Sequence, residues 1–167
     1  MVAIVVILAA TISVFALGFT NEANRPGPIV GQSSGELVPQ DGSDDGVVRI
    51  NHIAGETIQV SNMEVVVDAS DACGKQGRLV NLPVPSSGND IDQSNIEGDD
   101  IFDQRAYGFA AVPGPNAIHR SEYAAGDEIA FRITGGPCSI GQGDEITVRV
   151  VHTPTNSVVI EQMLTAT

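Results

Sequence analysis

Tryptophan is absent from this sequence of 167 residues, and aromatic residues make up only 4% of it. A rich aromatic ligand pocket is therefore not expected. Basic residues are also scarce, since eight Lys and Arg stand against 21 Asp and Glu, and Lys75 is the single lysine. With no basic patch to displace counterions from phosphate, the composition argues against nucleic acid as a partner.

The formal net charge is −13. An acidic surface with little lysine stays soluble when high salt screens its self-repulsion, so the composition predicts a halophilic source. An ordinary acidic protein is the alternative.

Only two cysteines are present, Cys73 and Cys138, and they lie 65 residues apart. Neither belongs to a C-x-x-C pair, which argues against zinc binding and thioredoxin-like redox chemistry. In an extracellular domain the simplest interpretation is one disulfide between them. Two free buried thiols are the alternative.

Charge is absent from residues 2–19, an apolar run whose only polar side chains are Thr11 and Ser13. As a helix these eighteen residues span about 27 Å, close to the hydrocarbon thickness of a bilayer. A cleaved secretory signal would begin with basic residues, but the first one here is Arg25. The run therefore predicts a transmembrane or helix-packing segment over residues 1–19.

Two further regions follow this apolar segment. Residues 20–46 are rich in Gly, Pro, Ser, Asn and Asp, a composition that predicts a flexible linker. Residues 47–167 carry β-branched and alternating runs separated by turn signals, which predict an antiparallel β-sandwich-like domain. The fold class is therefore mainly β with an N-terminal apolar helix. The predicted strands cover residues 47–53, 57–67, 128–133, 145–152 and 157–164, and residues 81–117 are expected to be a long excursion between strands.

No catalytic or metal-binding motif accompanies the three histidines, which are His52, His119 and His152. Residues 41–46 match the first half of a calcium-binding EF-hand loop, but His52 stands where the twelfth ligand, a Glu, belongs. Residues 90–103 are acidic without the glycine spacing of such a loop. We expect solvated acidic loops, no metal, no cofactor and no enzymatic activity.

The N-terminal residues resemble a known family. The start Met1-Val2-Ala3-Ile4 and the ending Phe15-Ala16-Leu17-Gly18 are similar to the N-terminal region of archaeal type IV pilins, especially haloarchaeal ones. Residues 50–58 are similar to an I-x-H-x-x-G-[DE]-x-[IL] element that is frequent there. Members of the family begin with a basic leader and a processing site, so we expect Met1 to be an internal methionine of the gene.

The resemblance implies a structural subunit of a type IV pilus-like surface filament that serves adhesion. Its partners would be copies of itself or related pilins, the membrane before assembly, and a prepilin peptidase with the assembly machinery if a leader lies upstream. A single-pass anchored β-domain with a binding role is the alternative, and an anchored enzyme or solute binder is a third. The residues implied to pack in the membrane or filament core are Val2, Ala3, Ile4, Val5, Val6, Ile7, Leu8, Ala9, Ala10, Ile12, Val14, Phe15, Ala16, Leu17 and Gly18.

Overall fold

The computed structural model describes residues 26–40, 45–85, 91–103 and 116–167. The predicted N-terminal helix and its packing residues lie outside these ranges and stay a prediction. Within the described ranges the chain is built mainly of antiparallel β-strands, which confirms that part of the predicted fold class.

Ten strands and one short helix occur in the described ranges. Their bounds are β1 Val30–Pro39, β2 Gly46–Gly55, β3 Ile58–Gln59, β4 Met63–Ala69, α1 Ser70–Cys73, β5 Lys75–Leu79, β6 Ile96–Gly98, β7 Glu122–Tyr123, β8 Glu128–Ile133, β9 Glu145–His152 and β10 Ser157–Thr165. One sheet has the order β1-β2-β8, a second has the order β10-β9-β4-β5-β6, and β3 pairs with β7. We call these sheets and the segments that connect them the β body.

The core of the β body lies between the three-stranded and the five-stranded sheet. Strand β4 alternates strictly, with Met63, Val65, Val67 and Ala69 buried and the residues between them only half-buried. This alternation is what a strand with one core-facing side requires. Residues from both sheets, such as Ile50 of β2 and Val148 of β9, belong to one hydrophobic cluster. Burial of this shared apolar surface is therefore the main force that holds the sheets together.

The prediction of a flexible linker over residues 20–46 is wrong for strand β1. Its ten residues, Val30–Pro39, pair with β2 along their length, and Leu37 of β1 is 1% exposed. The Gly, Ser and Pro content of this stretch suggested a linker because it carries few apolar residues. Pairing with the β-branched strand β2 supplies the backbone hydrogen bonds that such a sequence needs to become ordered.

The predicted strand over residues 57–67 is also corrected. A 3₁₀ turn, Val60–Asn62, separates β3 from β4, so the two parts join different sheets. The predicted strands at 47–53, 128–133, 145–152 and 157–164 correspond to β2, β8, β9 and β10. The expected excursion at 81–117 contains the short strand β6 in its described part.

The two sheets are joined at both sides. On one side Leu37 of β1 bridges Ala166, and the Gln162 side chain donates a 2.9 Å hydrogen bond to the Ser33 hydroxyl. On the other side Phe102 bridges Ile133 at the end of β8. These contacts add to the shared core in holding the two sheets together.

The predicted disulfide is confirmed. Cys73 ends α1, next to the five-stranded sheet, and Cys138 lies in the turn after β8 of the three-stranded sheet, with 5.3 Å between their Cα atoms. The bond closes a loop of 65 residues. A loop of this length corresponds to about 4 kcal/mol in the chain-entropy description. The disulfide is a covalent tie between the same two sheets that the core joins.

The structural role of β1 gives a direct test. We expect Leu37→Ala to lower the free energy of unfolding by about 2–4 kcal/mol, because it removes a buried side chain from the core. Its neighbour Val38 is 39% exposed, so Val38→Ala should change stability by less than about 0.5 kcal/mol. Urea unfolding of the full chain in detergent measures both. Equal effects of the two substitutions would show that β1 is a linker.

Candidate functional site

The chain enters the β body through residues 26–29, which we call the entry segment. Pro26 and Pro28 have fixed φ angles and no N–H group, so they cannot continue a helix from upstream and they stiffen the backbone. Gly27 between them lies directly on the turn that joins β9 and β10. A Cβ atom on Gly27 would be 2.6 Å from the Ser157 hydroxyl and 2.8 Å from that of Thr155. Glycine is therefore required for this close approach.

Glu56 fixes the other end of the entry segment. The Ile29 N–H donates a 2.7 Å hydrogen bond to the Glu56 carboxylate, and the Glu56 N–H donates one of 2.8 Å to the Ile29 carbonyl. The first bond involves a charged acceptor, a class that is stronger than neutral pairs. With Gly27 seated on the β9–β10 turn, these bonds dock the entry segment against the β body at two points.

Docking of the entry segment forms a cleft of about 470 Å³ between residues 26–30 and residues 157–159, which we call the entry cleft. Ser157 is its single polar side chain, and none of its lining residues is charged. Ile29 and Val158 line it and remain 68% and 48% exposed. On a chain with a net charge of −13, an uncharged cleft with two exposed branched aliphatic side chains is a surface suited to an apolar partner.

A chain of polar groups lies beneath Gly27. The His152 Nδ1 atom is 2.8 Å from the Thr155 hydroxyl, which is 2.7 Å from the Ser157 hydroxyl. Burial lowers the pKa of His152 below the usual value of 6.5 for an imidazole. Burial therefore favours the neutral form of the His152 ring in the folded state.

The other two histidines have structural positions. His52 on β2 is 1% exposed, and its Nδ1 atom is 3.3 Å from the Tyr123 carbonyl oxygen. His119 ends a 3₁₀ turn. His52 lies in the three-stranded sheet, and His152 lies in the five-stranded sheet. In the ranges that the structure describes, no group of three or more His, Cys, Asp or Glu is placed to hold a metal ion.

The acidic stretches considered as calcium loops are used in structural contacts where they are described. Asp45 accepts a 2.6 Å hydrogen bond from the Gly135 N–H, while residues 41–44 lie outside the described ranges. Asp92 caps a 3₁₀ turn, and Asp99 accepts a 2.9 Å hydrogen bond from the Gln76 N–H. Asp103 forms a buried ion pair with Arg132.

Every basic residue in the described ranges lies within 4.0 Å of an acidic side chain. The pairs are Arg49–Glu36, Lys75–Asp99, Arg78 with Glu64 and Glu97, Arg120–Asp127, Arg132 with Asp45 and Asp103, and Arg149–Glu161. Exposed pairs of this kind contribute little stability individually. Because these pairs neutralise the described cations and carboxylates outnumber them, the described surface keeps an excess of negative charge.

The close contact of Gly27 with the β9–β10 turn yields a second prediction. Gly27→Val should release the entry segment, because a branched side chain cannot fit against Ser157 and Thr155, and overpacking of this kind costs about 1–3 kcal/mol. Hydrogen exchange of the Ile29 amide should accelerate roughly tenfold or more, as such a cost implies. Gly136→Val is the matched control, since a Cβ at Gly136 meets nothing within 4 Å. Unchanged exchange in the Gly27 variant would contradict the docking.

The lowered pKa of His152 yields a third prediction. The folded state binds a proton at His152 less readily than the unfolded chain, so protonation of His152 favours the unfolded state. The stability that the neutral ring contributes is therefore fully present above the unfolded pKa of 6.5 and is lost as the pH falls below it. Between about pH 7 and pH 5, the wild type should therefore lose stability relative to the His152→Gln variant. Urea unfolding across this range measures the difference. If the free energies of unfolding of the two proteins changed in parallel with pH, the lowered pKa of His152 would be refuted.

Comparison with known proteins concerns the N-terminal part of the chain. Residues 1–30 match the family model of the archaeal type IV pilin N-terminal region, and no curated protein matches the chain. In the described ranges no helix is long and apolar enough to cross a bilayer, and residues 2–19 lie outside those ranges. The match confirms the predicted resemblance, and its last five residues form one wall of the entry cleft. Residues 1–30 are therefore similar to the N-terminal region of archaeal type IV pilins.

Proposed function

We propose that this protein is a structural subunit of an archaeal type IV pilus-like surface filament and that it serves surface attachment. The observation that carries the proposal is the match of residues 1–30 to the pilin N-terminal region. In the proposed subunit, residues 1–19 form the filament-core helix and the β body, as a β-sandwich-like domain, faces the outside.

The apolar segment supports this role by its composition. Before assembly, a helix over residues 2–19 satisfies its backbone hydrogen bonds internally and is stable in the membrane. After extraction, identical helices pack against one another, and small residues such as Ala9, Ala10 and Gly18 permit a close approach of their backbones. A head-to-tail contact that does not close on itself then produces a filament.

The β body has properties suited to the outside of such a filament. The disulfide Cys73–Cys138 is typical of an extracellular domain, since an oxidising environment preserves it. The negative charge left after ion pairing keeps a surface soluble in concentrated salt, so we propose a halophilic source. The proposed role is non-enzymatic, and a prepilin peptidase would be a partner if a leader lies upstream of Met1.

Mass spectrometry of filaments sheared from source cells tests the proposal. We expect this chain in the filament fraction, with an N-terminus produced by cleavage after a basic leader if a leader lies upstream of Met1. Recovery only from the membrane fraction, uncut, would instead favour the single-pass anchored β-domain with a binding role.

A pair of variants strengthens this experiment. Ala9→Asp introduces a charge into the apolar segment, where burial of a carboxylate is costly, and it should remove the chain from filaments. Ala125→Asp introduces the same charge in an exposed turn of the β body and should leave assembly intact. Equal incorporation of both variants would contradict a filament-core position for residues 2–19.

A further inference from the structure

We infer that the entry cleft is the docking surface for the apolar segment, residues 2–19, of a second copy of this chain. The inference rests on the proposed function, because it assigns to the β body a specific contact with a neighbouring subunit. The entry cleft is lined by residues 26–30 and 157–159 and holds about 470 Å³.

The chemistry of the cleft selects an apolar partner. Of the five large hydrophobic residues exposed in the described ranges, Ile29 and Val158 line the cleft. No charged side chain lines it, although charged residues make up 17% of the sequence. The remaining described surface is acidic and its cations are paired, so a positively charged partner would bind there and not in the cleft. The longest apolar run available in this chain is residues 2–19.

The cleft is formed before any partner arrives. Its entry-segment wall is held by two hydrogen bonds between Ile29 and Glu56 and by the seat of Gly27 on the β9–β10 turn. Its other wall belongs to β10, which pairs with β9 from Ser157 onward. A partner therefore loses little free energy in ordering the surface, which favours binding.

The position of the cleft brings a neighbouring segment within reach. Six residues, 20–25, separate Phe19 from the cleft wall, and fully extended they cover at most about 22 Å. Helices that pack side by side have axes about 8–10 Å apart. When the apolar segments of two copies pack together, the segment of one copy thus passes within this span of the cleft of the other.

The segment of the same chain fits the cleft poorly. To enter, it would have to reverse direction within residues 20–25 and run back over the wall formed by residues 26–30. A helix of residues 2–19 is about 27 Å long, whereas five extended wall residues cover about 17 Å. Most of its apolar surface would stay unburied, and it would be withdrawn from the segments of other copies. The segment of a second copy needs no such reversal, and the part of it that extends beyond the cleft can stay packed against the segments of other copies.

Photocrosslinking in assembled filaments identifies the occupant. A photoreactive side chain replaces Val158 in one variant and Met163 in the control. Met163 lies on the same strand, is 68% exposed and does not line the cleft. We expect crosslinked dimers from position 158 whose peptides join it to residues 2–19 of another copy, at least fivefold above those from position 163. A link to residues 2–19 within one copy, a link to another region, or equal yields from both positions overturns the inference.

A charge substitution provides the second measurement. Val158→Asp places a carboxylate in the proposed contact and should reduce incorporation into filaments at least tenfold, whereas Met163→Asp should change it less than twofold. Both side chains are exposed in the isolated β body, so thermal unfolding should find both variants folded. Equal incorporation overturns the inference and leaves the proposed function standing. Absence of the wild-type chain from filaments overturns both.

Discussion

Pairing of β1 with β2 is the interaction on which both the β body and the start of the chain depend. Through Leu37 this strand contributes to the core and bridges Ala166 after β10, so it closes one side of the two-sheet arrangement. Gly35 allows this close contact, because a Cβ there would be 2.7 Å from Leu164 and 2.9 Å from Ile50. The register of β1 in turn places Val30 opposite Gly55, next to the Glu56 that holds the entry segment. The direction in which the N-terminal segment leaves the body is therefore set by a strand of the fold.

Electrostatics and apolar surface divide the described protein into two kinds of surface. Its cations are matched by nearby carboxylates, and the buried pair of Arg132 with Asp103 joins β8 to the segment after β6. A buried pair is poor evidence for stability, but removal of one partner leaves an uncompensated charge, so it fixes the position of that segment. The entry cleft is an uncharged part of the described surface, and it lies where the chain connects to its apolar segment. An uncharged surface of this kind can contact another acidic molecule without charge repulsion.

Much of the β body could be predicted from sequence, because period-two alternation and turn residues report which strand face is buried. Strand β9 follows from this signal with its bounds and its buried face. Strand β8 follows in its bounds, although its residues 129–133 are all buried. The Cys73–Cys138 bond follows from cysteine number. Strand β1 could not be predicted from the sequence, because its Gly, Ser and Pro residues show no apolar–polar alternation. Its order comes from pairing with β2. The entry cleft could not be predicted either. Pro26-Gly27-Pro28 signals a stiff, non-helical stretch, but its contact with Ser157 joins residues about 130 positions apart in sequence, which no local pattern reports.

Docking of the entry segment restricts how the β body can be oriented relative to the apolar segment. A flexible linker from residue 20 to 46 would have allowed the body to take many orientations, and each subunit contact would have had to offset that lost freedom. With residues 26–30 held by Glu56 and the β9–β10 turn, only residues 20–25 remain between Phe19 and the docked wall. The conformational entropy lost on association falls accordingly, because fewer residues have to be ordered. Docking of residues 26–30 therefore leaves few residues to be ordered when another molecule binds near the start of the β body, and the energy for this docking comes from folding of the β body.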